Sequence, residues 1–358
     1  MCRRTDIFQP LTLNHLTIPS RVTLAPINTG FAVHGLPTER LVKFHKLRSG
    51  PEIGVSTVGN VAVSPEAASN EFNSVLSEES AVPAFTRISD VVHDAGSAAG
   101  IQLAHSVPKL SPSRKWKAEN PEAEISRLRS IICWIPVDFI GQSLSAFVRA
   151  ARLANRANFD VVQIHAAHGY LLSLLMNPKI NRRTDQFAYY ESWLMDFVQR
   201  LRDAVQHRWL SFRINARPLQ NKGNRDEDEA VRLACRLVAA GVDVIDLSGG
   251  LYTVDRNLIY PGDHSARPPY LDVAIEVSNQ TGAITSFAGR AQRMMAFLKF
   301  VGPLHLISLG RALIADPKFA KKWKRGQLED IVHCDLKGHC HYFTRDKPGL
   351  ACGVNSDI

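Results

Sequence analysis

Short runs of β-branched or apolar residues recur along the chain. Each ends in small or polar residues and gives way to a longer segment with apolar positions at helical spacing. The strand-like runs fall at 21–25, 53–58, 100–104, 159–164, 210–214, 242–247, 283–287 and 304–309. Helical patterns occupy 84–98, 143–156, 190–206, 227–240, 269–279 and 290–300. In 143–156, Phe147, Ala150, Ala151 and Ala154 line one face of a 3.6-residue period. Near-continuous apolar strands fit parallel strands covered on both faces. Eight such β/α units in 358 residues predict an α/β fold, a single (β/α)8 TIM barrel over 1–358 with 329–358 as a C-terminal tail. An open doubly wound sheet is the competitor. The lack of a G-x-G-x-x-G string after the first strand weighs against it. The stretch 106–136, rich in Ser, Pro, Arg and Glu, reads as a long loop over the barrel mouth.

Composition narrows the class. A hydrophobic content of 45% and a charged fraction of 22% allow a large core and argue against disorder. No apolar run reaches the roughly 18 residues that a membrane span needs. The opening residues Met1 to Asp6 lack the apolar stretch of a secretory leader. Six cysteines in a chain this size do not make a disulfide framework, so the expected setting is cytoplasmic. The net charge of +9 would suit phosphate-bearing ligands or nucleic acid. No Lys/Arg run interleaves with aromatics, so the charge reads as a solvated surface and no nucleic-acid partner is expected.

In a barrel, function collects where strands end at their C-terminal side. Those ends carry Ala25, Pro26 and Asn28 after the first run, Asn60 after the second, Gln102 and His105 on the third, and His165, His168 and Tyr170 after the fourth. Arg213 lies on the fifth, Ser248 follows the sixth, Ala288, Gly289 and Arg290 follow the seventh, and Gly310 and Arg311 the eighth. Glycine turns that open helices after the last two strands suit a phosphate, because backbone N–H groups and the helix dipole face the anion. Either arginine could add charge-assisted hydrogen bonds. His165 and His168 could donate to one oxygen and stabilise negative charge there. Tyr170 could deliver a proton. A zinc site built from His105, His165 and His168 is the alternative chemistry. A pair of satisfied histidines at a strand end is the bland one.

The residues also carry a resemblance. Ile7-Phe8-Gln9-Pro10-Leu11, Pro19-Ser20-Arg21-Val22, Ala25-Pro26, Ile101-Gln102-Leu103-Ala104-His105, and above all Gln163 through Leu172 with Asn177-Pro178 and Asn181-Arg182-Arg183-Thr184-Asp185 resemble the Old Yellow Enzyme family of FMN-dependent ene-reductases. Leu309-Gly310-Arg311-Ala312 with Ala315-Asp316-Pro317 is similar to its phosphate-binding end. The resemblance implies FMN as cofactor and NAD(P)H as reductant. It puts Asn28 beside flavin N5 and O4, Asn60 and Gln102 at the pyrimidine edge, and Arg213 beside N1 and the C2 carbonyl. It makes His165 and His168 the grip on a carbonyl or nitro oxygen, and Tyr170 the donor to the α-carbon of a small α,β-unsaturated carbonyl compound. A homo-oligomer is compatible with it.

The chain also departs from the family. Asn28 stands where Thr or Cys is usual. Val107-Pro108 replaces a Gly-Arg pair, and in 187–194 two glycines have become Ala188 and Tyr189, which requires a remodelled turn. Cys334, Cys340 and Cys352 resemble part of an iron–sulfur ligand run of larger relatives that carry further flavin and nucleotide domains. Lys337 stands where another ligand would fall, and ordinary thiols are expected. A flavin-binding protein with weak or repurposed activity is therefore a second expectation, and a zinc hydrolase on the same barrel a third.

Overall fold

The computed structural model describes residues 5–107, 120–217, 225–261, 269–289, 300–302, 305–345 and 347–358. Eight parallel strands close into a barrel: strand one (Val22–Ile27), two (Val55–Ala62), three (Ala98–Ala104), four (Val161–Ala166), five (Trp209–Arg217), six (Val244–Gly249), seven (Ile284–Ala288) and eight (His305–Leu309). Each pairs with the next, and eight returns to one through Ile307 opposite Val22. Every strand overlaps the run expected for it. The reason is physical: a strand covered by helices outside and by side chains inside is apolar on both faces.

The helices Val82–Asp94, Val137–Arg156, Leu194–Val205, Arg225–Ala239 and Leu271–Thr281 wrap the barrel. Val137–Arg156 begins earlier than its periodicity predicts, and it buries Phe147, Ala150, Ala151 and Ala154 as expected. The helix expected at 290–300, Arg290 included, and Pro108 lie outside the described residues, apart from Phe300, which pairs with Asp6.

One expectation is overturned. Much of 106–136 is no loop, because Pro121–Trp134 is a helix. Asn120 caps it by accepting from the backbone of Glu122 and Ala123 at 2.9 and 3.3 Å, with Pro121 in the first turn. Arg183 donates to the carbonyls of Ile132 (2.5 Å) and Ile135 (2.8 Å) at its far end, and pairs with Asp185. The Asn181 side chain donates to Leu175 and Phe187 carbonyls at 2.8 and 2.7 Å. The Asn181–Asp185 string thus fastens backbone and does not face the barrel mouth.

The two ends of the barrel differ. At the bottom, Leu11, Ile18, Val55, Ala98, Val161, Trp209, Val244, Ile284 and Leu306 form one apolar plug under a short hairpin. Trp209 is fully buried, and its Nε1 donates to the Leu13 carbonyl at 3.1 Å. Toward the top the interior turns polar, with Gln102, Gln163, Ser211, Arg213, Asp246 and Ser248 all buried. Among the described residues no single helix is long and apolar enough to cross a membrane.

Candidate active site

After strand four the chain enters the left-handed region twice in succession, at His168 (φ +65°) and Gly169 (φ +87°). This turn swings His168 against His165, with ring centroids 5.0 Å apart and planes nearly perpendicular. The Tyr170 ring lies 4.5 Å from His165. Asn215 Oδ1 accepts from the His168 backbone N–H at 3.2 Å, and Ser173 Oγ from that of Gly169 at 3.2 Å, which hold the turn in place.

Burial, reinforced by the Arg213 charge, keeps His165 well below the usual imidazole range; His168 is lowered by burial, by His165 and by Arg213. Both rings are therefore neutral at pH 7. The Ala167 N–H donates to His165 Nδ1 at 3.3 Å, so the His165 proton sits on Nε2. His168 Nε2 lies 2.7 Å from Ser248 Oγ. Burial pushes the Tyr170 hydroxyl up to about 12, with Tyr252 adding to the rise, while hydrogen bonds with Asn60 and Ser69 pull the other way.

The polar interior continues from this cluster. Gln102 Nε2 donates to Gln163 Oε1 at 2.7 Å, and Gln163 Nε2 donates to Asp246 Oδ2 at 3.1 Å and to Ser211 Oγ at 3.2 Å. Arg213 Nε stands 3.3 Å from Asp246 Oδ2, and among the described residues that buried Nε has no hydrogen-bond partner. Gly59 lets Pro26 and Gln102 close on its backbone; a Cβ there would meet them at 2.6 and 3.0 Å. Asn28 and Asn60 are hydrogen-bonded to one another at 3.1 Å, and Asn60 Nδ2 donates to the Tyr170 hydroxyl at 2.9 Å. At the opposite rim, Gly289 (φ +112°) sits against Pro261 and Pro269 beside Ala288, whereas Gly310 opens the turn Arg311–Ala315 and, among the described residues, has only Ala25 Cβ within 4 Å of where its own Cβ would be. Arg311 donates to the Pro261 carbonyl at 2.9 Å.

Two segments roof the mouth, and sequence reasoning gave neither a role there. The loop after strand six carries Tyr252 and Arg256; the Tyr252 N–H donates to the His168 carbonyl at 3.0 Å. The tail carries His341 and Tyr342. Arg256 donates to His341 Nδ1 at 2.9 Å, which ties loop to tail. Tyr342, 4% exposed, donates to Asn28 Oδ1 at 2.8 Å.

The NADH:flavin oxidoreductase / NADH oxidase family model matches residues 6–330, nearly the whole barrel. The chain belongs to that family. It is 27% identical over 341 residues to an NADH oxidase of Thermoanaerobacter brockii, covering 92% of this chain and 52% of the relative. It is 27% identical over 325 residues to an NADPH dehydrogenase of Bacillus subtilis (strain 168), covering 88% and 93%. Among solved structures, an old yellow enzyme homologue from Zymomonas mobilis superposes with a TM-score of 0.70 at 19% identity, covering 93% of this chain and 95% of that one. A 2-naphthoyl-CoA reductase gives a TM-score of 0.78 at 20% identity, covering 98% of this chain and 57% of its own. The chain thus spans about half the length of the first two larger relatives.

FMN is the cofactor of this family of barrels, with NAD(P)H as reductant. The residues present fit it. A buried arginine paired with Asp246, whose Nε makes no hydrogen bond among the described residues, suits with its neighbouring glutamine and asparagine amides the polar edge of a flavin ring. The space that the described residues leave at Gly310 suits the approach of a phosphate to backbone N–H groups.

The zinc alternative does not assemble on the barrel. His105 turns away from His165 and His168: its Nε2 lies 3.1 Å from Ser143 Oγ, and its ring packs on Phe139 and Phe147 of the outer helix Val137–Arg156. The reason is the pleat, which ends strand three with this side chain outside the barrel. Among the described residues no three His, Cys, Asp or Glu side chains are placed to hold a metal, Cys334, Cys340 and Cys352 included. Burial raises Cys334 and pushes Cys340 to about 11, as for ordinary protonated thiols.

The buried histidines have a consequence for stability. Burial lowers His45 to about 3, with Arg48 adding to it, and His105 to about 4. Below pH 6.5 the unfolded chain binds protons that the folded chain refuses, so stability falls as pH drops from 6.5 toward 4. At pH 5.5 each of these two groups costs about 1.4 kcal/mol, and the other buried histidines, His165 and His168 among them, add to the loss. Urea unfolding at pH 7.5 and 5.5, at fixed ionic strength, is expected to show this loss. A His45→Gln variant is expected to lose about 1.4 kcal/mol less than the wild type between the two pH values, and an unchanged wild-type stability would refute the assignment.

Proposed function

We propose that the protein is an FMN-dependent ene-reductase that reduces the activated C=C bond of small α,β-unsaturated carbonyl or nitro compounds with NAD(P)H. One observation carries the reading: two neutral imidazoles set 5.0 Å apart beside a tyrosine. Residues 1–358 would act as one barrel domain, with 329–358 as a tail.

Ala25, Pro26, Asn28, Asn60, Gln102 and Arg213 would hold the flavin ring, and Ala288, Gly289, Gly310 and Arg311 its phosphate end. Bound FMN supplies hydride for the β-carbon of the acceptor and is recharged by NAD(P)H. Every other task falls to side chains. His165 Nε2–H and His168 donate to the acceptor oxygen and stabilise the charge that grows there. Neutral rings serve this better than a buried imidazolium would, because a donor without net charge costs little to desolvate. The positive charge of Arg213 favours a reduced, anionic ring at its edge. Tyr170 gives its proton to the α-carbon and regains one from water.

The test begins with the cofactor. Heating the purified protein is expected to release one FMN per chain, identified by chromatography. NADPH is then expected to be consumed when 2-cyclohexenone is added under nitrogen. FAD, or no flavin after reconstitution, would overturn the cofactor assignment, and a flavoprotein that NADPH reduces but no enone reoxidises would overturn the substrate class.

A further inference from the structure

The direction of each hydrogen bond behind Tyr170 can be read from the structure, and the chain of bonds starts in the tail. The Gly30 backbone N–H is a donor without choice, and it points at Asn28 Oδ1, 3.2 Å away. Tyr342 gives its hydroxyl proton to the same oxygen at 2.8 Å. These two donors settle which end of the Asn28 amide is oxygen. The Asn28 NH2 must therefore face the other way, where it donates to Asn60 Oδ1 at 3.1 Å and to Ser69 Oγ at 3.3 Å. That contact in turn settles the Asn60 amide, whose NH2 donates to the Tyr170 hydroxyl at 2.9 Å. Asn73 Nδ2 anchors the Asn60 backbone by donating to its carbonyl at 2.6 Å. Tyr170 therefore receives the Asn60 N–H at its oxygen.

Tyr342 reaches this position because two glycines let the tail approach. A Cβ on Gly30 would fall 2.7 Å from the Tyr342 ring and 3.1 Å from Gly349 Cα. A Cβ on Gly349 would fall 2.9 Å from Phe31. The Leu350 N–H then donates to the Thr29 carbonyl at 2.7 Å, locking the tail beside Asn28.

We propose that Tyr342 and Asn28 are positioning residues for the proton donor: acting through Asn60, they hold the Tyr170 hydroxyl as an acceptor on its inner side, so that its proton faces the acceptor compound. The proposal rests on the ene-reductase reading. Without Tyr342 the Asn28 amide keeps the Gly30 donor but loses its second one, and its hold on the orientation passed to Tyr170 weakens. A single neutral hydrogen bond contributes about 1 kcal/mol, so the expected loss is about fivefold.

Stopped-flow reoxidation of the reduced holoenzyme tests this with Tyr342→Phe, a variant that keeps the ring and the packing. Reoxidation by 2-cyclohexenone is expected to slow about fivefold, with a larger solvent deuterium isotope effect as proton delivery becomes limiting. Reoxidation by 1,4-benzoquinone is expected to be unchanged, since a quinone collects protons on oxygen. Binding of cyclohexanone, read from the flavin absorbance, is expected to be unchanged because the histidines hold it. Gly30→Ala, which displaces the tail by a different route, is expected to reproduce the pattern. Equal losses with both acceptors, or an enone rate and isotope effect at the wild-type level, would overturn the positioning role alone. A wild-type enzyme that is inert to enones yet oxidised by benzoquinone would overturn the ene-reductase reading and this inference with it.

Discussion

Reoxidation of the reduced Tyr170→Phe enzyme by an enone is expected to be slower by about 10²–10⁴-fold, the usual contribution of a positioned acid, while reoxidation by a quinone stays near the wild-type rate. The asymmetry follows from where the protons go. An enone that takes hydride at its β-carbon must be protonated at its α-carbon, and carbon is protonated slowly by water. A quinone receives its protons on oxygen. Tyr170 is suited to the first task because its ring stands 4.5 Å from His165, beside the proposed grip on the acceptor oxygen. Its hydroxyl, held at about 12, keeps its proton at neutral pH until the acceptor carbon becomes basic. The competing role for Tyr170 is structural, since it precedes the buried turn Leu171–Leu175. Phe preserves that packing, so a structural role predicts no change. A Phe variant that reduces enones at the wild-type rate removes Tyr170 from the chemistry.

Replacing both His165 and His168 by Ala is expected to lower enone reoxidation by about 10²–10³-fold, the scale for lost oxyanion donors. Flavin reduction by NADPH should change far less. The two rings approach each other at 5.0 Å without sharing a charge, because burial and Arg213 keep both neutral. Their contribution is therefore hydrogen-bond donation, and it should persist down to pH values at which an exposed histidine would already be protonated. Single-turnover measurement of the two half-reactions separates the roles. Equal losses in both would show that the histidines hold the flavin or the fold.

Sequence periodicity exposed the barrel because each strand is a short apolar run between amphipathic helices. His165, His168 and Tyr170 stood out because polar residues end an otherwise apolar strand. The helix Pro121–Trp134 was hidden by its composition, although Asn120-Pro121-Glu122 carried a capping signal. Asp246 was harder to see. It lies within the run 242–247, and only the register that sets it beside Arg213 gives it meaning. In the remodelled turn 187–193, Tyr189 points to solvent while Tyr190 is buried and donates to Glu229 at 3.1 Å. Tyr342 had no local signature at all. Its partner Asn28 is 314 residues away, and no periodicity spans such a distance.

That separation bears on how the enzyme comes into being. Local contacts form early in folding and distant ones late, because the entropy of loop closure must be met first. The barrel mouth can close around its imidazoles while the Asn28–Tyr342 contact is still absent. During synthesis the acid would be the last part of the machinery to mature, waiting for residue 342 and the Leu350 clasp to leave the ribosome. In the finished molecule the same clasp would open at lower free energy than the strands, as late-forming peripheral units do. Proton delivery would then weaken before flavin binding or the barrel itself gives way.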